Sequence, residues 1–153
     1  MDYFSKQLSD ILLSMYKNVI NLEENAQKNV NSRIGLSINE IHFLEAVGEG
    51  GREGCTVSKL ASMLGVSKPS VTVMVNKLEK KGYLEKLNNQ EDGRSVMVTL
   101  TREGALVNSY YQYFRRRMVK KINDGLTDQE KEFLVKAFEK IDIYFKKSLE
   151  RIK

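Results

Sequence analysis

The stretch "TVSKLASMLGVSKPSVTVMVNKLEKKGYLEKL", residues 56–87, decides the fold. It carries the start and stop signals of two short helices with almost nothing between them. Thr56 stands where an N-cap belongs, Leu60, Ala61 and Leu64 follow at helical spacing, and Gly65 is placed to end the helix. Ser67 caps the next helix, and Pro69 falls in its first turn, where a missing N–H costs nothing. Val71, Val75 and Leu78 give that helix its buried stripe, and Gly82 stops it. Ala61 is small, as needed where two helices cross closely. After them come "YLEKL" and "RSVMVTL", two strands around an Asp92-Gly93 turn, with Val96, Val98 and Leu100 on one face. Two helices at a glycine turn and then a hairpin lay out a winged helix-turn-helix.

Working outward, residues 3–22 place Phe4, Leu8, Ile11, Leu12, Met15, Val19 and Ile20 on one side of an amphipathic helix, and "KNVNSRIGLS" at 28–37 breaks the pattern. Ser37 with Glu40 is a capping box that opens a helix through Ile38, Ile41, Leu44 and Val47, ended by Gly48, Gly50 and Gly51. Thr101 caps a long helix through Leu106, Val107, Tyr110, Tyr113, Phe114, Met118 and Ile122. "NDGLTDQE" interrupts it, and Thr127 with Glu130 forms a second capping box. The last helix carries Phe133, Leu134, Ala137, Phe138, Ile141, Tyr144, Phe145 and Leu149. The expected class is mainly α with a small β-hairpin wing.

The composition sets the frame. The 153 residues are 41% hydrophobic and 29% charged, with one Pro, one Cys and one His. No apolar run approaches a membrane span, and the acidic start "MDYFSKQLSD" lacks the basic region of a secretory signal. A single Cys permits no intrachain disulfide, which fits a reducing, cytoplasmic location. The net charge of +5 is unevenly spread: residues 1–51 carry 4 Lys/Arg against 7 Asp/Glu, and residues 95–153 carry 13 against 8. A basic excess of this kind suits a polyanion partner, although many basic proteins bind none.

The second helix of the pair carries the chemistry. Ser67, Lys68, Pro69, Ser70, Thr72, Val73, Asn76 and Lys77 make up its unburied surface, and Ser58 lies on the preceding helix. Hydroxyls and amides reach base edges in a major groove, lysines neutralise phosphates, and Val73 suits a thymine methyl. The bland alternative is a polar face turned to water. Arg94, held by Asp92 at the hairpin tip, is alone a solvated loop charge; beside a recognition-type helix it becomes a wing that enters the minor groove. The basic run "FRRRMVKK", 114–121, reads as a solvated face, a DNA flank or a docking patch for an acidic carrier.

The stretch at 56–86 followed by "EDGRSVMVTLTREG" resembles the MarR family of bacterial regulators. The shared pattern is hydrophobic-x-x-Leu-Ala-x-x-Leu-x-Val-x-x-x-x-Val-Thr, then Leu-Glu-x-x-Gly-Tyr, Asp-x-Arg and Leu-Thr-x-x-Gly. The resemblance implies a homodimer on a pseudo-palindromic double-stranded operator, with Arg94 in the minor groove. It implies a helical dimerisation region at 1–36 and 102–153, with Phe4, Leu8, Ile11, Phe138, Ile141 and Phe145 in it, and a DNA-binding lobe at 37–101. The apolar residues of the terminal helices also exceed what a small winged-helix core requires, which independently favours a dimer. "MDYFSKQL", "NVINLEE", "LSINEIHFLEAVG" and "MVKKINDGLTDQE" are most similar to the FabT branch. That branch implies repression of fatty-acid synthesis genes, with a long-chain acyl group on acyl carrier protein as co-repressor.

The family's effector cavity lies between the DNA lobes and the dimer helices, which makes Met15, Val19, His42 and Tyr110 its candidate lining. Against this, a lone His is more often structural, and Met15, Tyr16, Tyr110, Tyr111 and Met118 are more often core. Zinc needs about four ligands, and no second His or Cys exists, so no metal is expected. Cys55, in the glycine-rich loop before Thr56, reads as inert. No glycine-rich phosphate loop and no Gly-x-Ser-x-Gly elbow is present, so an enzyme is not expected. The competing functions are a MarR-type repressor released by a small aromatic or lipophilic ligand, and a winged-helix protein-interaction module without DNA.

Overall fold

The computed structural model describes residues 2–88 and 96–151, of which 27–33 and 88 are described as backbone only. The order is α1 (Tyr3–Ile34), α2 (Ile38–Gly48), β1 (Cys55–Thr56), α3 (Val57–Leu64), α4 (Lys68–Lys80), β2 (Leu84–Asn88), β3 (Val96–Leu100), α5 (Arg102–Asp124) and α6 (Asp128–Glu150). Among the described residues, six helices and a small antiparallel sheet match the expected class. The chain forms two compact units, residues 1–112 and 113–153, with the division inside α5.

The cap signals work as read. The Ser37 and Thr127 hydroxyls accept from the N–H groups of Glu40 and Glu130, whose carboxylates accept in return. Thr56 and Ser67 accept from Lys59 N and Ser70 N. Gly65 ends α3 at φ 65°, a left-handed conformation that a residue with a Cβ adopts only at a cost. That turn sets the short link between α3 and α4.

Two expectations are corrected. Helix α1 is longer than the apolar pattern at 3–22 suggests; it runs into the 28–37 stretch as far as Ile34 and stops at Gly35, with φ 60°. Polar residues interrupt the apolar pattern after Leu22, but Glu23, Glu24, Ala26, Gln27 and Lys28 sustain a helix, and Gly35 is the first residue suited to end it. Cys55 is not in a loop. It forms β1 with Thr56 and pairs with Val98, so the sheet has three strands in the order β1-β3-β2. Two residues are too few for an alternating pattern to reveal a strand.

The core of the first unit gathers Leu36, Ile41, Leu44 and Val47 from the α2 region, Leu60 and Ala61 from α3, and Val71, Val75 and Leu78 from α4. Leu84, Val98, Val107 and Tyr111 close it. Val98 is fully buried, whereas its expected face-mate Val96 is 41% exposed. The motif residues meet at one corner. Thr101 N donates to Tyr83 O at 3.1 Å. Thr101 Oγ1 donates to Gly82 O at 2.7 Å and accepts from Gly104 N at 3.2 Å. A Cβ at Gly104 would run into the Tyr83 carbonyl. The Leu-Glu-x-x-Gly-Tyr and Leu-Thr-x-x-Gly signatures are thus two halves of one junction, joining the end of β3 to the turn after α4.

Candidate nucleic-acid interface

Helix α4 buries Val71, Val75 and Leu78 and turns the rest outward. Ser67, Lys68, Pro69, Ser70, Thr72, Val73, Asn76 and Lys77 are all exposed, Val73 at 68%. Ser58 is exposed on α3. The hydroxyls are organised by their own helix: Ser67 and Ser70 Oγ lie 2.8 Å apart, and Thr72 Oγ1 donates to Lys68 O at 3.0 Å. Thr72 therefore offers outward its lone pairs and its methyl. Asp92 and Arg94 lie outside the described residues.

The C-terminal half of this surface is tied down in two ways the sequence did not disclose. Glu40, only 2% exposed, accepts from Lys81 Nζ at 2.7 Å and from Lys77 Nζ at 3.2 Å through Oε1. Its Oε2 accepts from Ser37 N at 2.7 Å. Burial pushes this carboxyl up, but the bonds from Lys81, Ser37 N–H and Lys77 outweigh it and hold it at about 2. Lys81 also donates to Gly35 O at 2.9 Å, and Tyr83 OH to Ile34 O at 2.9 Å. The C-terminal end of α4 is thereby fastened to the end of α1 and the start of α2. Sequence reading found Glu40 only as a cap. Lys86 on β2 donates to Asn76 Oδ1 at 2.7 Å and to Glu79 Oε2 at 2.6 Å. No pattern within β2 signals that contact.

The remaining candidates are placed as follows. On α1, Phe4 and Ile11 are 70% and 55% exposed and Leu8 is half-buried. On α6, Phe138 and Phe145 are 38% and 50% exposed and Ile141 is half-buried, and no residue of the helix is buried. Leu134, Val135, Phe138, Glu139 and Asp142 border an open depression of about 360 Å³ on this helix. Met15, Val19 and Tyr110 are partly exposed, and of the tyrosines and methionines expected in the core only Tyr111 is buried. The His42 ring and Glu23 Oε1 are 3.2 Å apart, so His42 joins α2 to α1. In the same unit, Asn108 Oδ1 and Tyr111 OH are buried with no hydrogen-bond partner, and burial pushes the Tyr111 phenol up to about 12. In the basic run, Arg117 lies 5.8 Å over the Tyr113 ring and Lys120 pairs with Asp124 at 3.0 Å. Cys55 is fully buried, its thiol 3.9 Å from Ala46 O. Among the described residues, no His, Cys, Asp and Glu are grouped to hold a metal, and no helix is long and apolar enough to cross a membrane.

A capped, outward-facing α4 behind a glycine turn, flanked by a small sheet, defines a winged helix-turn-helix protein. Residues 34–95 match the model of the MarR family. Streptococcus pneumoniae FabT, solved in complex with DNA, is 29% identical and superposes with a TM-score of 0.81 over 95% of this chain and 99% of that one. The HTH-type transcriptional regulator YpoP of Bacillus subtilis is 28% identical over 70% of this chain and 74% of its own length. The S. aureus MepR–DNA complex, 18% identical with a TM-score of 0.68 over 92% of this chain and 96% of that one, shares the fold. Over residues 34–95 the chain is similar to the MarR family, and the relatives named here are DNA-binding transcriptional regulators rather than enzymes.

Proposed function

We propose that this protein is a dimeric repressor that reads a pseudo-palindromic operator with α4. We further propose that it controls fatty-acid synthesis genes, with a long-chain acyl group on acyl carrier protein as co-repressor. The observation that carries the proposal is the exposed face from Ser67 to Asn76, on a fold that follows a DNA-bound FabT over 95% of this chain. Two such helices must reach half-sites about one DNA turn apart, roughly 34–36 Å. The apolar residues that α1 and α6 leave exposed supply the surfaces for pairing two copies. The division of the chain into a reading lobe at 37–101 and a pairing region at 1–36 and 102–153 belongs to this proposal, as does entry of Arg94 into the minor groove. A bound acyl chain shifts operator affinity only by its preference for the DNA-compatible spacing. The test is an operator titration with long-chain acyl carrier protein against the unacylated carrier. Tighter binding with the acylated form is expected, and equal affinity rejects the co-repressor role.

One observation favours a second reading. Asn108 Oδ1 and Tyr111 OH, buried without partners, are polar atoms that a small ligand could satisfy. A repressor released by such a ligand would lose operator affinity on adding it, the opposite sign in the same titration.

A further inference from the structure

We propose that Lys86 determines the base specificity of α4 by fixing the amide of Asn76, an inference that rests on α4 being the DNA reader. Lys86 follows the buried Leu84 by two residues along β2 and so shares its face, the one turned toward the α4 side of the sheet. From there its Nζ arrives between Asn76 and Glu79, which are neighbours on one helical ridge. The bonds are 2.7 Å to Asn76 Oδ1 and 2.6 Å to Glu79 Oε2.

An ammonium group only donates, so it faces the amide oxygen and never the amide nitrogen. This sets the orientation of the Asn76 side chain, and a charge-assisted bond holds it firmly. Reading adenine takes both ends of an asparagine: the oxygen accepts from N6 and the nitrogen donates to N7. With Oδ1 occupied by Lys86, Asn76 presents its Nδ2 donors. Its N–H donors then favour guanine, whose O6 and N7 both accept, over adenine, whose N7 accepts but whose N6 needs the oxygen that Lys86 holds. Glu79 neutralises the ammonium, so Lys86 adds specificity without adding much phosphate attraction.

The experiment selects duplexes from a randomised double-stranded DNA library with the wild-type protein and with Asn76→Ala, Lys86→Met and Lys86→Arg. Lys86→Met keeps the apolar stem over the helix and removes the donor; Lys86→Arg keeps a donor. The expected result is a wild-type motif that loses preference in Asn76→Ala at one position in each half-site. At that same position Lys86→Met raises adenine by about fivefold or more, and Lys86→Arg holds the wild-type preference. The salt dependence of binding for Lys86→Met stays within error of wild type. A Lys86→Met motif identical to wild type overturns the inference and leaves α4 as the reader. An Asn76→Ala motif identical to wild type also overturns it. Recovery of no motif by the wild type overturns the DNA-reading proposal together with it. Should Lys86→Met not fold, Lys86→Leu removes the same donor and is read in the same way.

Discussion

Glu40→Gln removes one negative charge from a carboxylate that is 2% exposed and bonded to Lys81, Lys77 and the Ser37 N–H. The carboxyl titrates near 4.5 when exposed and at about 2 in the fold. At about 1.4 kcal/mol per pH unit, that displacement stabilises the native state by about 3 kcal/mol. The Lys81 and Lys77 side chains are 33% and 56% exposed. Screening at their ends lowers the expectation to about 2–3 kcal/mol. A depressed carboxyl stabilises fully above its unfolded value, and the contribution disappears as pH falls from 4.5 toward about 2. Urea unfolding followed by circular dichroism, at one protein concentration and at pH 7 and pH 3, reads the difference between wild type and variant. The gap should be about 2–3 kcal/mol at pH 7 and clearly narrower at pH 3. An equal gap at both pH values, or none at pH 7, refutes the electrostatic account of this junction.

Three further outcomes are expected. Ala61→Leu overpacks the α3–α4 crossing, where Ala61 is 7% exposed, and should lower stability by about 1–3 kcal/mol in urea unfolding. Phe138→Glu puts a charge on the apolar face of α6; sedimentation should show a shift from dimer toward monomer at micromolar concentration, with helical content retained. Arg94→Ala should weaken operator binding by about 1–3 kcal/mol and reduce the salt slope by about 1 in titrations at several salt concentrations. Binding equal to wild type would remove the wing from the account.

The helices were legible because their signals are local. Thr56, Ser67, Ser37 and Thr127 accept the N–H groups their positions call for, and Gly65 takes the left-handed turn that ends α3. The outward surface of α4 was legible because Val71, Val75 and Leu78 leave only one side free. What connects that helix to the rest was not legible. Lys81 reaches Gly35 and Glu40 across 46 and 41 residues, and Lys86 reaches Asn76 across a turn and a strand. Such contacts follow from tertiary placement, and lysines in a charged run give no hint of which ones are held. β1 was missed for a related reason: its two residues become a strand only because β3 offers an edge beside them.

The central claim, a dimer that recognises a defined DNA sequence, is tested most directly by a mobility shift with the DNA upstream of the protein's own gene against random duplex of equal length. A complex of dimer stoichiometry should form on the upstream DNA at protein concentrations at least about tenfold lower than on random duplex, and it should weaken steeply as salt rises. Equal affinity for both duplexes would contradict the account.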